Sequence, residues 1–534
     1  MSTFFGAIRK QIRELGQAIT PALNIDLEKS ILEWLGLRKK ELDASGAEVN
    51  GVILQSFHWY LLPDQQHWKR LADAAPQLAK VGFTALWLPP ASKGAGGGYD
   101  VGYGIYDLYD LGEFDQKGTI PTKYGTKNDF VALIKAAGKV ELQLYADVVF
   151  NHKMGGDKEE EFEAVPVDEN NRNHETGPPE LIKAYTFYDY AGRAGKYSPM
   201  QYHWQHFDAV DYNGNKPNEK HIYRVKDKSF ADKVELDKGN YDFLMGCDVD
   251  VNHPEVKADL LHWGEWMLDD FGIDGFRLDA IKHINSDFFH DWLDHLEKKL
   301  GHTIFAVGEY WTTNTDTLNW YIANTEGRLS LFDVNLHYNF SQAGSKGRDY
   351  DLRKIFDNSL VQRIPILAVT FVDNHDTQPL QALQSPVDAW FKPLAYALIL
   401  LRKDGYPCVF YPDYFGAQYR DNNIDVTMAS HQWMIDKFLA VRSDYAYGPQ
   451  KDYFDHSNVV GWTRMGNENH PEGMAVLLSN GDNGEKWMEV GHPNTKYLDV
   501  TEHIKEPVIT NIDGWGNFRC LGGKVSVWVQ EEEE

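Results

Sequence analysis

Residues 275–283 read GFRLDAIKH, a short run of β character that ends in an arginine and an aspartate and then turns. Three other segments repeat the design: DVVFNH at 147–152, VGEYW at 307–311 and FVDNHD at 371–376. Each is β-rich and closes on carboxylates, histidines or an arginine. A buried carboxylate costs several kcal/mol unless it is paired or used. Charges at the ends of apolar strands therefore predict an active site at one rim of a barrel, with Asp279, Glu309 and Asp376 as its acids.

Working outward from these segments, the chain alternates from residue 50 onward. Hydrophobic patterning predicts strands over 52–59, 83–90, 140–150, 274–279, 303–309, 329–335, 366–372 and 407–411. Helices are expected over 67–81, 128–139, 254–271, 287–300, 315–324, around 352–360, 393–402 and 432–442. Eight β-then-α units imply an α/β fold, a (β/α)8 TIM barrel built from 50–152 and 247–442. The stretch 153–246 is polar, rich in Gly, Asn, Asp, Tyr and His, and too long for a loop. It predicts an irregular β-domain inserted after strand 3. Beyond 443 the helical period disappears, and alternating runs at 459–463, 474–479 and 525–529 predict a C-terminal antiparallel β-sandwich over 443–534. At the other end, Ile8, Ile12, Leu15 and Ile19 at amphipathic spacing predict a helical extension over 1–49.

Charge and composition narrow the function. A net charge of −26 argues against nucleic-acid binding, which needs a basic stripe. No apolar run approaches the ~20 residues that span a bilayer. The 16 Trp and 28 Tyr suit a cleft for sugar rings, whose faces are apolar. Three cysteines, far apart in sequence, do not make a disulfide framework. The first residues carry scattered charges and no continuous apolar segment, so a cytoplasmic protein is expected, with a monomer as the default state.

The rim residues suggest a division of labour. Alternation within 275–279 puts Arg277 and Asp279 on one side, where the guanidinium favours the ionised carboxylate of a nucleophile. Glu309 follows Ala306, Val307 and Gly308, an apolar approach that should raise its pKa and suit a proton donor. One ionised carboxylate facing one protonated acid is the arrangement that cleaves glycosidic bonds with retention. Asp376 stands beside His375, whose imidazole can grip sugar hydroxyls.

In this order the four segments resemble the signature regions of the alpha-amylase family, glycoside hydrolase family 13. QSFHWY at 55–60, VGYG at 101–104 and YDLYDLGEF at 106–114 are similar to its bacterial liquefying-type members. The resemblance implies endo-acting hydrolysis of α-1,4-glucosidic bonds in starch, glycogen or maltooligosaccharides. Asp279 would then be the nucleophile, Glu309 the general acid/base and Asp376 the transition-state stabiliser. Arg277, His152 and His375 would contact the nucleophile or the sugar, Tyr103 would stack at the cleavage point, and Lys282 and His283 would face the leaving side. It further implies one calcium held by Asn151, Asp242, Asp248 and the carbonyl of His283, oxygen donors of the kind calcium takes. A second calcium or sodium would fall to Asp208 and Asp250. There the chain departs from the family pattern, with Ala231 and Asn252 in place of acids and Asp232 as a shifted substitute. The same acids would serve a transglycosylase, and an inactive glucan-binding barrel is the reading from a different class.

Overall fold

The computed structural model describes residues 50–531; the expected helices of 1–49 lie outside them. Eight short parallel strands close into a barrel in sequential order. They are β1 Ile53–Gln55, β2 Ala85–Trp87, β3 Gln143–Val148, β4 Gly275–Leu278, β5 Phe305–Gly308, β6 Ser330–Phe332, β7 Ala368–Phe371 and β8 Tyr406–Phe410. Nearly every residue in them is buried, as expected of parallel strands covered on both faces. β1 to β7 are narrower than their hydrophobic runs, because the runs' ends turn into rim and loop, and β8 has the expected length, shifted by one residue.

The chain divides into two compact units, one of Leu61–Pro76 and Trp87–Leu331, the other of residues 50–60, Gln77–Leu86 and 332–531. In the first unit, helices follow the strands where capping signals put them. Thr126 and Asp129 form a reciprocal capping box at the start of Lys127–Gly138. Pro254 opens Pro254–Phe271, and Gly272, in the left-handed region, closes it. Asn285 caps Ser286–Leu300, and Asn314 caps Thr315–Asn324. Between β3 and β4 lies a six-stranded antiparallel sheet running from His152–Lys153 to Cys247–Val249.

In the second unit, the sixth helix is not where periodicity predicts it. Strand β6 stops at Phe332, and Val334–Lys346 is helical; residues 352–360 supply only a 3-10 turn, Leu352–Lys354, and the first residue of a short helix, Leu360–Arg363. The cause is Asp333. Its buried carboxylate accepts from the backbone of Leu336 at 3.1 Å, Leu360 at 3.0 Å and Val361 at 2.8 Å, so it starts two helices at once. A hairpin, Ala417–Asp421 with Ile424–Met428, also escaped the sequence pattern. Toward the C-terminus, a six-stranded sheet and the pair Gly484–Glu489 and Trp515–Cys520 pack on one core of Ala475, Leu477, Met488, Tyr497, Phe518 and Trp528. That is the expected sandwich.

Candidate active site

Strand register assembles the rim of the first unit. Arg277 on β4 lies level with Asp147 on β3 and Val307 on β5. Its buried guanidinium then reaches three carboxylates. Nη1 donates to Asp147 Oδ1 at 2.8 Å and Asp279 Oδ1 at 2.5 Å, and Nη2 donates to Glu309 Oε2 at 2.9 Å. Trp87 Nε1 and the Tyr103 hydroxyl hold the other oxygen of Asp147 at 2.9 and 2.8 Å. The indole and phenol rings also cover the guanidinium, 5.1 and 5.7 Å away.

Two backbone features bring Glu309 in. Ala280 takes φ 50°, a left-handed conformation that costs a non-glycine residue of order 1 kcal/mol, and its N–H points to Glu309 Oε2 at 3.2 Å. Gly308 leaves no room for a side chain, since a Cβ there would lie 2.3 Å from Ile281 Cδ1 and 2.7 Å from Leu329 Cδ1. Only glycine lets these side chains pack beneath Glu309.

The electrostatics differ from expectation at Asp279. Burial pushes its carboxyl up to about 6, against the downward pull of Arg277; Glu309 adds to the rise. Glu309 in turn is not left in apolar surroundings, because it shares the guanidinium. His152 Nε2 donates to the Tyr103 carbonyl at 2.8 Å, and burial lowers the pKa of the ring. Lys282 Nζ donates to the Trp311 carbonyl at 3.1 Å and lies over the Tyr241 ring. The His283 imidazole donates to the Tyr241 carbonyl at 2.5 Å, and burial pushes its pKa down to about 3.

The second unit carries its own cluster at the end of β7. Gln55 Nε2 donates to His375 Nδ1 at 3.0 Å, which leaves the ring proton on Nε2, 3.5 Å from Asp376 Oδ2. Trp59 stacks on the imidazole, and Asp376 remains partly exposed.

The residues expected to hold calcium all belong to the first unit. Asp248 pairs with His152 in the sheet, and Val249 N–H donates to the Asn151 carbonyl at 2.9 Å. Burial, with Asp250 nearby, pushes Asp242 up to about 7, and burial with Asp242, Asp208 and Asp250 nearby pushes Asp248 well above the carboxylate range, while Arg172 pulls both down. Asn151 Oδ1 and Asp248 Oδ2 are buried without a hydrogen-bond partner. Orphaned buried oxygens beside carboxyls that stay raised despite Arg172 fit a hard cation. A second group, His206, His253 and Glu255, brings possible ligand atoms within 4.8 Å of one another. Its His206 is already satisfied, with Nδ1 accepting from His203 N–H and Nε2 donating to Glu255, both at 2.9 Å.

Sequence reasoning missed Asp147, Trp87, Gln55 and Trp59. Asp147 opens one of the quoted segments, and its strand alternation with Val149 was the signal available.

Residues 67–446 match the catalytic-domain family of alpha-amylases. An alpha-amylase of Geobacillus stearothermophilus is 48% identical over 91% of this chain and 88% of its own length. The cytoplasmic alpha-amylase of Escherichia coli K12 is 42% identical over 90% of this chain and 99% of its own. Among solved structures, an Anoxybacillus alpha-amylase superposes with a TM-score of 0.61 at 18% identity, covering 91% of this chain and 97% of that one. With the barrel and its carboxylate rim, these likenesses show that the chain belongs to the alpha-amylase family of glycoside hydrolases, enzymes that cleave internal α-1,4-glucosidic bonds.

Proposed function

We propose that α-1,4-glucan hydrolysis runs through Asp279 and Glu309 by double displacement, with Asp376 stabilising the transition state. The observation that carries this reading is the Arg277 guanidinium bridging Asp279 and Glu309. Two carboxyls on one guanidinium form a close pair, the arrangement in which the second acid attacks the sugar directly. Asp279 Oδ attacks the anomeric carbon while Glu309 protonates the departing glycosidic oxygen, leaving a glycosyl ester on Asp279. Glu309, now a carboxylate, takes a proton from water as that water attacks the anomeric carbon and breaks its bond to the Asp279 oxygen, releasing the Asp279 carboxylate and a sugar of retained configuration. Arg277 stays charged throughout, since its three carboxylate partners hold its pKa well above the ordinary value. His375, oriented by Gln55, and Tyr103, tied to Asp147, would position the sugar, with Lys282, His283 and His152 at its flanks.

Calcium would sit among Asn151, Asp242, Asp248 and the His283 carbonyl, neutralising buried acids and tying the inserted sheet to the barrel strands beside it. Starch, glycogen or soluble maltooligosaccharides fit this reading equally. A cytoplasmic setting is supported by the free, buried thiols of Cys247, Cys408 and Cys520 and by the name of the E. coli relative. Nothing in the rim favours transglycosylation or an inactive barrel. The test is the anomer released first: α-product by NMR supports direct attack by Asp279, and β-product would overturn it.

A further inference from the structure

The corner assigned to a second cation in the liquefying-type pattern is already filled by a side chain. Lys228, in the turn after the strand Ile222–Val225, places Nζ 2.7 Å from Asp250 Oδ2 and 3.6 Å from Asp208 Oδ1. The other oxygen of Asp250 is committed as well: Oδ1 accepts from the backbone of Asn252 and His253, each at 3.0 Å. Both oxygens of this acid therefore have protein donors.

The remaining positions supply no replacement ligand. Ala231 has no carboxylate, and its N–H is spent on Asp242 Oδ2 at 2.7 Å. Asn252 is exposed. Asp232, the shifted substitute, accepts from Asn285 Nδ2 at 2.7 Å on a different element. A second cation needs several oxygens free to converge, and this corner lacks them. The contrast with Asn151 Oδ1 and Asp248 Oδ2, which have no partner, is internal to the same sheet.

We propose that the Lys228 ammonium stands in for the second metal ion, so that this chain holds a single calcium and carries its other cation covalently. A covalent ammonium cannot be chelated or diluted away. This corner should therefore be indifferent to calcium and sodium, whereas the first site is not. The inference builds on the calcium reading above but turns on different residues.

The test is metal content by mass spectrometry after dialysis against calcium, together with melting temperatures of Lys228→Met and of Lys228→Met combined with Asp250→Asn. One calcium in the wild-type chain is expected. Lys228→Met should melt several degrees lower, and adding Asp250→Asn should restore most of the loss, because the acid left without its cation is then neutral. A second bound ion in the wild type would overturn the proposal, as would an unchanged melting temperature in Lys228→Met or no recovery in the double variant. A wild type that binds no calcium would instead sink the first-site reading, and the variant pair would still decide the role of Lys228.

Discussion

Two buried acidic clusters in the same compact unit resolve their charge in different ways. At the rim, Asp147, Asp279 and Glu309 share the guanidinium of Arg277, a cation held by the chain itself. In the inserted sheet, Asp242 and Asp248 feel the buried guanidinium of Arg172 without a direct ion pair to it, and a buried oxygen of Asp248 is left without a hydrogen-bond partner. A permanent cation suits a catalytic pair that must keep its geometry through proton transfer. An exchangeable one makes the neighbouring sheet sensitive to its surroundings. Lys228 shows the first solution reappearing within the second region.

That contrast can be broken at its strongest point. Glu309→Gln should lower kcat by about 10²–10⁴-fold, the usual contribution of a positioned acid/base, and Asp279→Asn by more, with glucan binding retained in both. Near-normal turnover measured on soluble starch would remove the rim from the mechanism.

Arg277→Met strands three buried carboxylates without their cation. Breaking such a pair costs about 3–5 kcal/mol, so denaturant titration should show a loss of that order. A loss below ~1 kcal/mol would mean that the guanidinium is not what holds the rim.

Removing calcium should cost less. A ligand at about 100 times its Kd stabilises by ~2.7 kcal/mol, and exhaustive chelation should remove a term of that size. Differential scanning calorimetry with and without a chelator reads it; an unchanged melting temperature would show that the Asp242–Asp248 region needs no metal.

The smallest effect is on pH. Asp279 must be ionised to attack, and its carboxyl lies at about 6 in the folded protein against an ordinary 3.8. The acid limb of kcat/KM should therefore fall near pH 6, as a property of the coupled Asp279–Glu309 pair. For stability the sign is opposite to that of a salt-bridged acid. The folded state binds the proton more tightly, so the Asp279 contribution declines as pH rises from about 4 to about 6 and is level above that. A limb near pH 4 would mean that Arg277 outweighs burial after all.

Much of this was legible along the chain because it is local. Caps and periods mark Pro254–Phe271 and Thr315–Asn324 to the residue. The three acids proposed for catalysis stand out in the sequence as charges at strand ends. The helix Val334–Lys346 was not legible, since the apolar run through Phe332 continues past the strand and only the buried Asp333 stops it.

The sequence by itself determined the barrel, its order of strands and most of its helices, because hydrophobic period and capping act over a few residues. Only the tertiary structure decided which cation each acid meets. Arg277 reaches Asp147 and Glu309 through parallel strand register, and Lys228 reaches Asp208 and Asp250 across turns of an inserted sheet. Those partners lie far apart in sequence and are chosen by burial, where an uncompensated charge is too costly to leave alone.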